Sequence, residues 1–328
     1  MTVAVRSFAK INIGLEIGPR RTDGFHGLRT VYQTIAVHDR LRVNVARGTG
    51  IEIRSNDPSV PCDESNTCWR MAERVMKALK LRDRVVIDVE KSLPVQGGLG
   101  GASSNAVATL LALERALGKQ LPAAERLRLA AEVGSDLPLF LIGGTVLGVG
   151  RGEEVYPLED LPALDCVIVT PDVGISTPQA FADWDNKQEA GGRKQEAGKL
   201  TAAAGSDKLV GSSRAVCAWL SGSSTGVPAK SSGDRAEALL LDLVHAGIEN
   251  DFESVVFPLH PELRRVKRAL EGAGAGYASL SGSGSTVYGL FRSREVAQKA
   301  AKRLSADGMA AVATKTLTRR EYWKRLWD

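Results

Sequence analysis

"LPVQGGLGGASSNAV", Leu93 to Val107, packs four glycines and two serines between a proline and a run of helix-forming residues. Glycine loses more backbone freedom on folding than any other residue, so such a cluster must serve a purpose. It allows positive φ and lets backbone amides approach a ligand with no Cβ in the way. The loop leads into "SNAVATLLALERALG", whose Ala106, Val107, Leu110, Leu111 and Leu117 fall near one helical face. The first amides of that helix have no internal partner and sit at the positive end of its dipole. Together these features make an anion site, and Ser103 and Ser104 add hydroxyls to it. A phosphate is the economical ligand. A Walker A loop is excluded because no lysine follows the glycines, and a Rossmann fingerprint fails at Ser103. A tight turn with helix caps is the bland account of the same residues.

Outward from the loop, periodicity divides the chain into strands and helices. "TVAVRSFAKINIGLEIG", "LRVNVARGTGIEIRS" and "RVVIDVEKSLPV" alternate as strands do. "SNTCWRMAERVMKALK", opened by Ser65 and Asn66, and "PAAERLRLAAEVG" have helical spacing and end signals. "GGTVLGVGRGEEVYPL" returns to strand. "DCVIVTPDVG", from Asp165, opens a second half: helix, two strands, helix and strand follow from Pro261. That order suits an antiparallel sheet covered by helices on one side. The expected fold class is α+β in two domains, 1–160 and 161–328. Between about Asn186 and Asp234 apolar residues thin out, which predicts an inserted surface loop holding a weak helix.

Composition bounds the function. The 328 residues are 43% hydrophobic and 25% charged, with a formal net charge of +5. That fits two globular cores and an anionic ligand, without the clustered charge of a nucleic-acid binder. Four cysteines and four histidines lack metal-ligand spacing, so no metal site is expected from protein ligands alone. No signal peptide or membrane-spanning run occurs, and a cytoplasmic protein is the expectation.

Several stretches could carry chemistry. In "GSDLPLF", Asp136 reads either as a helix N-cap before Pro138 or as a base accepting a hydroxyl proton. In "AKINIGLEI", Lys10 and Asn12 share one strand face, which is either a solvated outer face or the wall of a cleft. "RRTDGFH" ends in Phe25 and His26, a hydrophobic plug beside a solvated histidine or a base-stacking pair. "LSGSGSTVYG", Leu280 to Gly289, is adequately explained as a hairpin turn. The tail "RREYWKRLWD" is basic and aromatic, and reads as a packed amphipathic end or an RNA contact.

"PVQGGLGGASSNA", "GSDLPLF" and "LSGSGSTVYG", in this order, resemble the three signature motifs of the GHMP small-molecule kinases. "AKINIGLEI" with "RRTDGFH" is similar to the branch whose acceptor is a cytidine diphosphate-linked methylerythritol, in the non-mevalonate route to isoprenoid precursors. "GRGEEVYPL", "ISTPQAF" and "NDFE" are similar to further stretches of it. The resemblance covers nearly the whole chain outside the insertion. It implies an N-terminal domain like ribosomal protein S5 domain 2 and a ferredoxin-like C-terminal domain, with the active site between them. It implies ATP and the cytidine alcohol as small-molecule substrates, with Mg²⁺, and no nucleic acid or membrane partner. A monomer or weak homodimer is expected.

Roles carry over residue by residue. Asp136 matches the catalytic aspartate and Lys10 its paired lysine. Pro94 and the run Gly97, Gly98, Leu99, Gly100, Gly101, Ala102, Ser103 and Ser104 match the ATP loop. Asn12 matches a residue near the methylerythritol hydroxyls. Phe25 and Phe181 match two rings that sandwich cytosine, His26 a residue that hydrogen-bonds it, and Thr177 a neighbour of the substrate. Gln96 and Ala102 stand where glycine is usual, so a strain of about 1 kcal/mol is expected at Ala102 if it needs positive φ. Another kinase of the family, acting on homoserine or mevalonate, has no use for base-stacking residues. An RNA-binding module has none for a lysine–aspartate pair.

Overall fold

The computed structural model describes residues 1–196 and 248–327. Sustained alternation makes β1 (Thr2–Arg20) and β2 (His26–Ala46) one long antiparallel ribbon, turned at residues 21–25. Four shorter strands extend it: β3 (Ile51–Ser55), β4 (Arg84–Glu90), β5 (Thr145–Val149) and β6 (Glu154–Pro157). The order is β3-β4-β2-β5-β6, with β1 paired to β2. Helix α2 (Gly101–Leu117) lies against β1 and β2, and α1 (Thr67–Ala78) beside it. Every residue of α2 from Ser104 to Glu114 is buried, which explains its nearly unbroken apolar run. Helix α3 (Ala123–Val133) and the single turn α4 (Leu137–Phe140) close that layer.

The second sheet is antiparallel, in the order β10-β7-β9-β8. Its strands are β7 (Asp165–Val169), β8 (Tyr277–Leu280), β9 (Val287–Phe291) and β10 (Ala311–Lys315). Helices α7 (Pro261–Gly272) and α8 (Arg294–Ala306) pack on it, with α6 (Glu253–Leu259) against α7. A further helix, α5 (Thr177–Glu196), precedes the insertion. The loop expected from Asn186 is therefore helical as far as Glu196, and the rest of that expectation lies outside the described residues.

Strand β1 is the seam between the halves. Val3, Val5 and Phe8 enter the first core, while Leu15 and Ile17 enter the second. Ala9, Ile11 and Ile13 pack in a third cluster with Cys166, Ile168, Tyr288 and Leu290 of the second sheet. The chain end crosses back: Leu317, Tyr322 and Leu326 are buried in the first core around α9 (Arg319–Arg325). The tail is a packed amphipathic end, capped reciprocally by Thr318 and Glu321. Among the described residues no helix is long and apolar enough to cross a membrane.

Candidate active site

The glycine loop ends where α2 begins. Gly100 occupies the N-cap position at φ 68° and, having no side chain, leaves the leading amides of α2 uncapped. Positive φ recurs at Gly98 (75°) and, unexpectedly, at Gln96 (58°). Ala102 lies inside the helix, so the strain anticipated there falls on Gln96 instead. The loop borders a pocket of about 340 Å³ lined by Pro94, Gly97–Ser103 and Asn105. Val60, Pro61, Ser65, Thr67 and Lys91 form its other walls. None of these five belongs to a recognisable motif, and only the fold assembles them.

Lys10 links the loop to the candidate base. Its Nζ donates to the Gly98 carbonyl at 2.9 Å and to Asn12 Oδ1 at 2.6 Å. The same ammonium lies 3.5 Å from Asp136 Oδ2. Lys10 and Asn12 are 3% and 1% exposed, so the solvated-face account of this strand is wrong. Both faces of β1 are covered here, and the polar face is covered by the loop. Burial lowers the lysine's pKa, and the Asp136 charge opposes that shift. Asn12 Nδ2 donates to Thr30 Oγ1, which donates to the Gly14 carbonyl, so the amide's orientation is fixed.

Asp136 stands at the N-cap of α4, yet its side chain makes no capping bond. One oxygen accepts from the Tyr32 hydroxyl at 2.9 Å and the other faces Lys10. Burial, and then the nearby carboxylate, pushes the Tyr32 pKa well above its ordinary value, so the phenol remains a donor. Tyr32 is unsignalled in the sequence. It reaches the site because β2 pairs with β1 in a register that sets Tyr32 opposite Asn12.

The third motif does more than turn a hairpin. Ser281 Oγ donates to the Gly98 carbonyl at 2.9 Å, and the Thr286 amide donates to Gly97 at 3.1 Å. A Cβ on Gly98 would lie 2.1 Å from the Ser281 carbonyl oxygen. Thr177, exposed at the start of α5, bonds its hydroxyl to that of Ser283 in the same turn at 2.8 Å.

Two of the residues expected around cytosine, His26 and Phe181, lie against each other. Phe181 stacks on His26, with centroids 5.3 Å apart and planes 8° from parallel, and meets Phe252 edge-on. Phe25 is 53% exposed, with the Arg151 guanidinium 5.0 Å from its centroid. The imidazole edges are engaged: Nδ1 lies 3.0 Å from the Gly18 carbonyl and Nε2 3.0 Å from Asp185 Oδ1. The loop, Lys10, Asn12 and Asp136 therefore converge. His26 and Phe181 form a second group, and no ring contact joins Phe25 to Phe181.

A family model described as GHMP kinases N terminal domain matches residues 66–144, and one described as GHMP kinases C terminal matches 230–309. A 4-diphosphocytidyl-2-C-methyl-D-erythritol kinase of Solibacter usitatus is 37% identical over 98% of this chain and 91% of its own. One from Geobacter sulfurreducens is 31% identical, covering 96% and 99%. A crystal structure of 4-(cytidine 5'-diphospho)-2C-methyl-D-erythritol kinase superposes with a TM-score of 0.69 at 27% identity, over 95% and 98% of the two chains. A homoserine kinase from Cytophaga hutchinsonii gives the same TM-score at 19% identity, which speaks to fold alone. With these relatives over nearly its full length, the chain belongs to the 4-diphosphocytidyl-2-C-methyl-D-erythritol kinases, a branch of the GHMP small-molecule kinases.

Proposed function

We propose that the chain transfers the γ-phosphoryl group of ATP to the 2-hydroxyl of 4-diphosphocytidyl-2-C-methyl-D-erythritol. This is a step of the non-mevalonate route to isoprenoid precursors. The alcohol oxygen bonds to the γ-phosphorus, the bond to the β–γ bridging oxygen breaks, and ADP leaves. The alcohol's proton passes to the Asp136 carboxylate. The loop from Gly97 to Ser104, with Pro94 at its base, cradles the phosphates through backbone amides and the α2 dipole. Lys10 holds Asp136 and the transferring group in line, which matters more than basicity if the transition state is loose. Asn12 and Thr177 border the alcohol. Phe25, His26 and Phe181 take the cytosine, whose stacking contributes on the order of 1–3 kcal/mol per ring. A base read by the imidazole must displace Asp185 from it.

Among the described residues no three histidine, cysteine or acidic side chains converge as a metal site. A nucleotide-bound Mg²⁺ needs no such cage, because phosphates and waters fill most of its octahedron. Carried in with the nucleotide, it would neutralise phosphate charge. The proposal takes residues 1–160 as the nucleotide-binding half and 161–328 as the half contributing Thr177 and Phe181. It assumes a monomer or weak homodimer in the cytoplasm, with no nucleic acid or membrane partner.

The observation that carries the proposal is the Lys10 ammonium, which touches the Gly98 carbonyl of the loop and faces Asp136. It joins a phosphate cradle to a carboxylate. Coupled ADP release tests the substrate. The cytidine diphosphate alcohol should stimulate it, and mevalonate and homoserine should not. Equal stimulation by either would remove the cytidine specificity.

A further inference from the structure

Asp39 is fully buried inside β2, one residue before the strand's pairing with β4 begins. A carboxylate in such a place needs its charge and lone pairs answered. Here four donors answer it. Oδ1 accepts from the backbone amides of Ser92 and Leu93, both at 2.8 Å. Oδ2 accepts from Lys91 Nζ at 2.6 Å and Asn105 Nδ2 at 3.1 Å. Residues 91–93 lead into the glycine loop, and Asn105 lies in the helix that leaves it. One carboxylate therefore ties both stems of the loop.

The tie also fixes two residues of the pocket wall, Lys91 and Asn105. The Lys91 ammonium sits against the first residue of α2, 3.4 Å from where a Cβ on Gly101 would be. The carboxylate only accepts, so the Asn105 amide must turn its NH₂ toward Asp39 and its oxygen away. That oxygen is buried and has no partner within the protein. Buried polar atoms are nearly always paired, so this orphan acceptor, on a residue of the pocket wall, calls for a partner that the protein does not supply.

We propose that Asp39 is a positioning residue for the nucleotide. It touches neither substrate, and it sets the stems of the loop, the Lys91 ammonium and the Asn105 carbonyl in the geometry that binds ATP. The inference rests on ATP occupying the glycine loop, as proposed above.

The test is Asp39→Asn, which turns an NH₂ group onto one or more of those four donors. ATP is titrated calorimetrically without the alcohol, at a temperature where circular dichroism shows the full-length variant folded. The ATP Kd should rise about tenfold or more, as when other buried partners of binding groups are removed. The KM for the cytidine alcohol should stay within about threefold. Asp39→Asn and Lys91→Gln should be non-additive on ATP affinity, because they break one network. If Asp39→Asn does not fold, Asn105→Ala cuts the far stem alone and should give the same split between the two substrates. An unchanged ATP Kd, or equal weakening of both substrates, overturns the proposal by leaving only a structural role. Ala102→Glu separates the premise, since it sets a carboxylate on an exposed first-turn position of the pocket wall. If that variant binds ATP normally, the nucleotide lies elsewhere and the loop assignment itself falls.

Discussion

Lys10 holds its proton less firmly than a solvent lysine, because burial outweighs the attraction of Asp136. A lowered pKa on a cation means the charge is lost earlier as pH rises. Turnover that needs the ammonium should therefore decline at a pH below the ordinary 10.5. Lys10→Arg carries a guanidinium that stays protonated, so the variant should be slower yet lack that alkaline decline. Rate profiles over roughly pH 6 to 11 check this, and an identical decline in both proteins would assign it to another group. Tyr32 offers a second probe. Tyr32→Phe removes a hydrogen bond to a charged acceptor, worth about 1.5–3 kcal/mol, so kcat should drop about tenfold or more. ATP affinity should not change, as an isothermal titration would show. These two residues differ in how far sequence discloses them. Lys10 stands in a motif. Tyr32 is 104 positions from Asp136, and only the strand register brings them together.

At the scale of elements, the glycine loop works because the third motif is pressed against it. Gly98 cannot take a Cβ without meeting the backbone of Ser281, and its φ is positive. Gly118, the C-cap of α2, also has positive φ but has nothing within 4 Å of its Cβ position. Gly118→Ala should cost about 1 kcal/mol, the conformational term alone. Gly98→Ala adds a backbone clash and should cost at least about 2 kcal/mol, with weaker ATP binding. Denaturant midpoints of the two variants measure the difference, and equal losses would mean the loop and turn are not in firm contact. Helices and strands are legible here because their periodicity is local. The engagement of His26 with Asp185 and Phe181 is not, since it depends on where α5 docks. The sequence favours Asp136 as a helix cap over a base, and only the fold shows that its side chain makes no capping bond.

Across the whole molecule, the chain end stabilises the site from the far side of the first core. The Tyr322 hydroxyl donates to the Phe140 carbonyl at 2.7 Å, in the turn that opens with Asp136. Its ring packs where a side chain on Gly143 would stand, 2.3 Å from the nearest ring carbon. Tyr322→Ala should cost about 3–5 kcal/mol, read from the denaturation midpoint, and a loss under about 1 kcal/mol would show the tail to be dispensable. The two halves depend on one strand, β1, which feeds both cores and carries Lys10 and Asn12 between them. Catalysis at that seam is the central claim, and Asp136→Asn tests it most directly. Turnover should drop by roughly 10²- to 10⁴-fold while the ATP Kd stays within about threefold. A variant that turns over at a rate comparable to the unmodified enzyme would contradict the assignment of Asp136 as the proton acceptor.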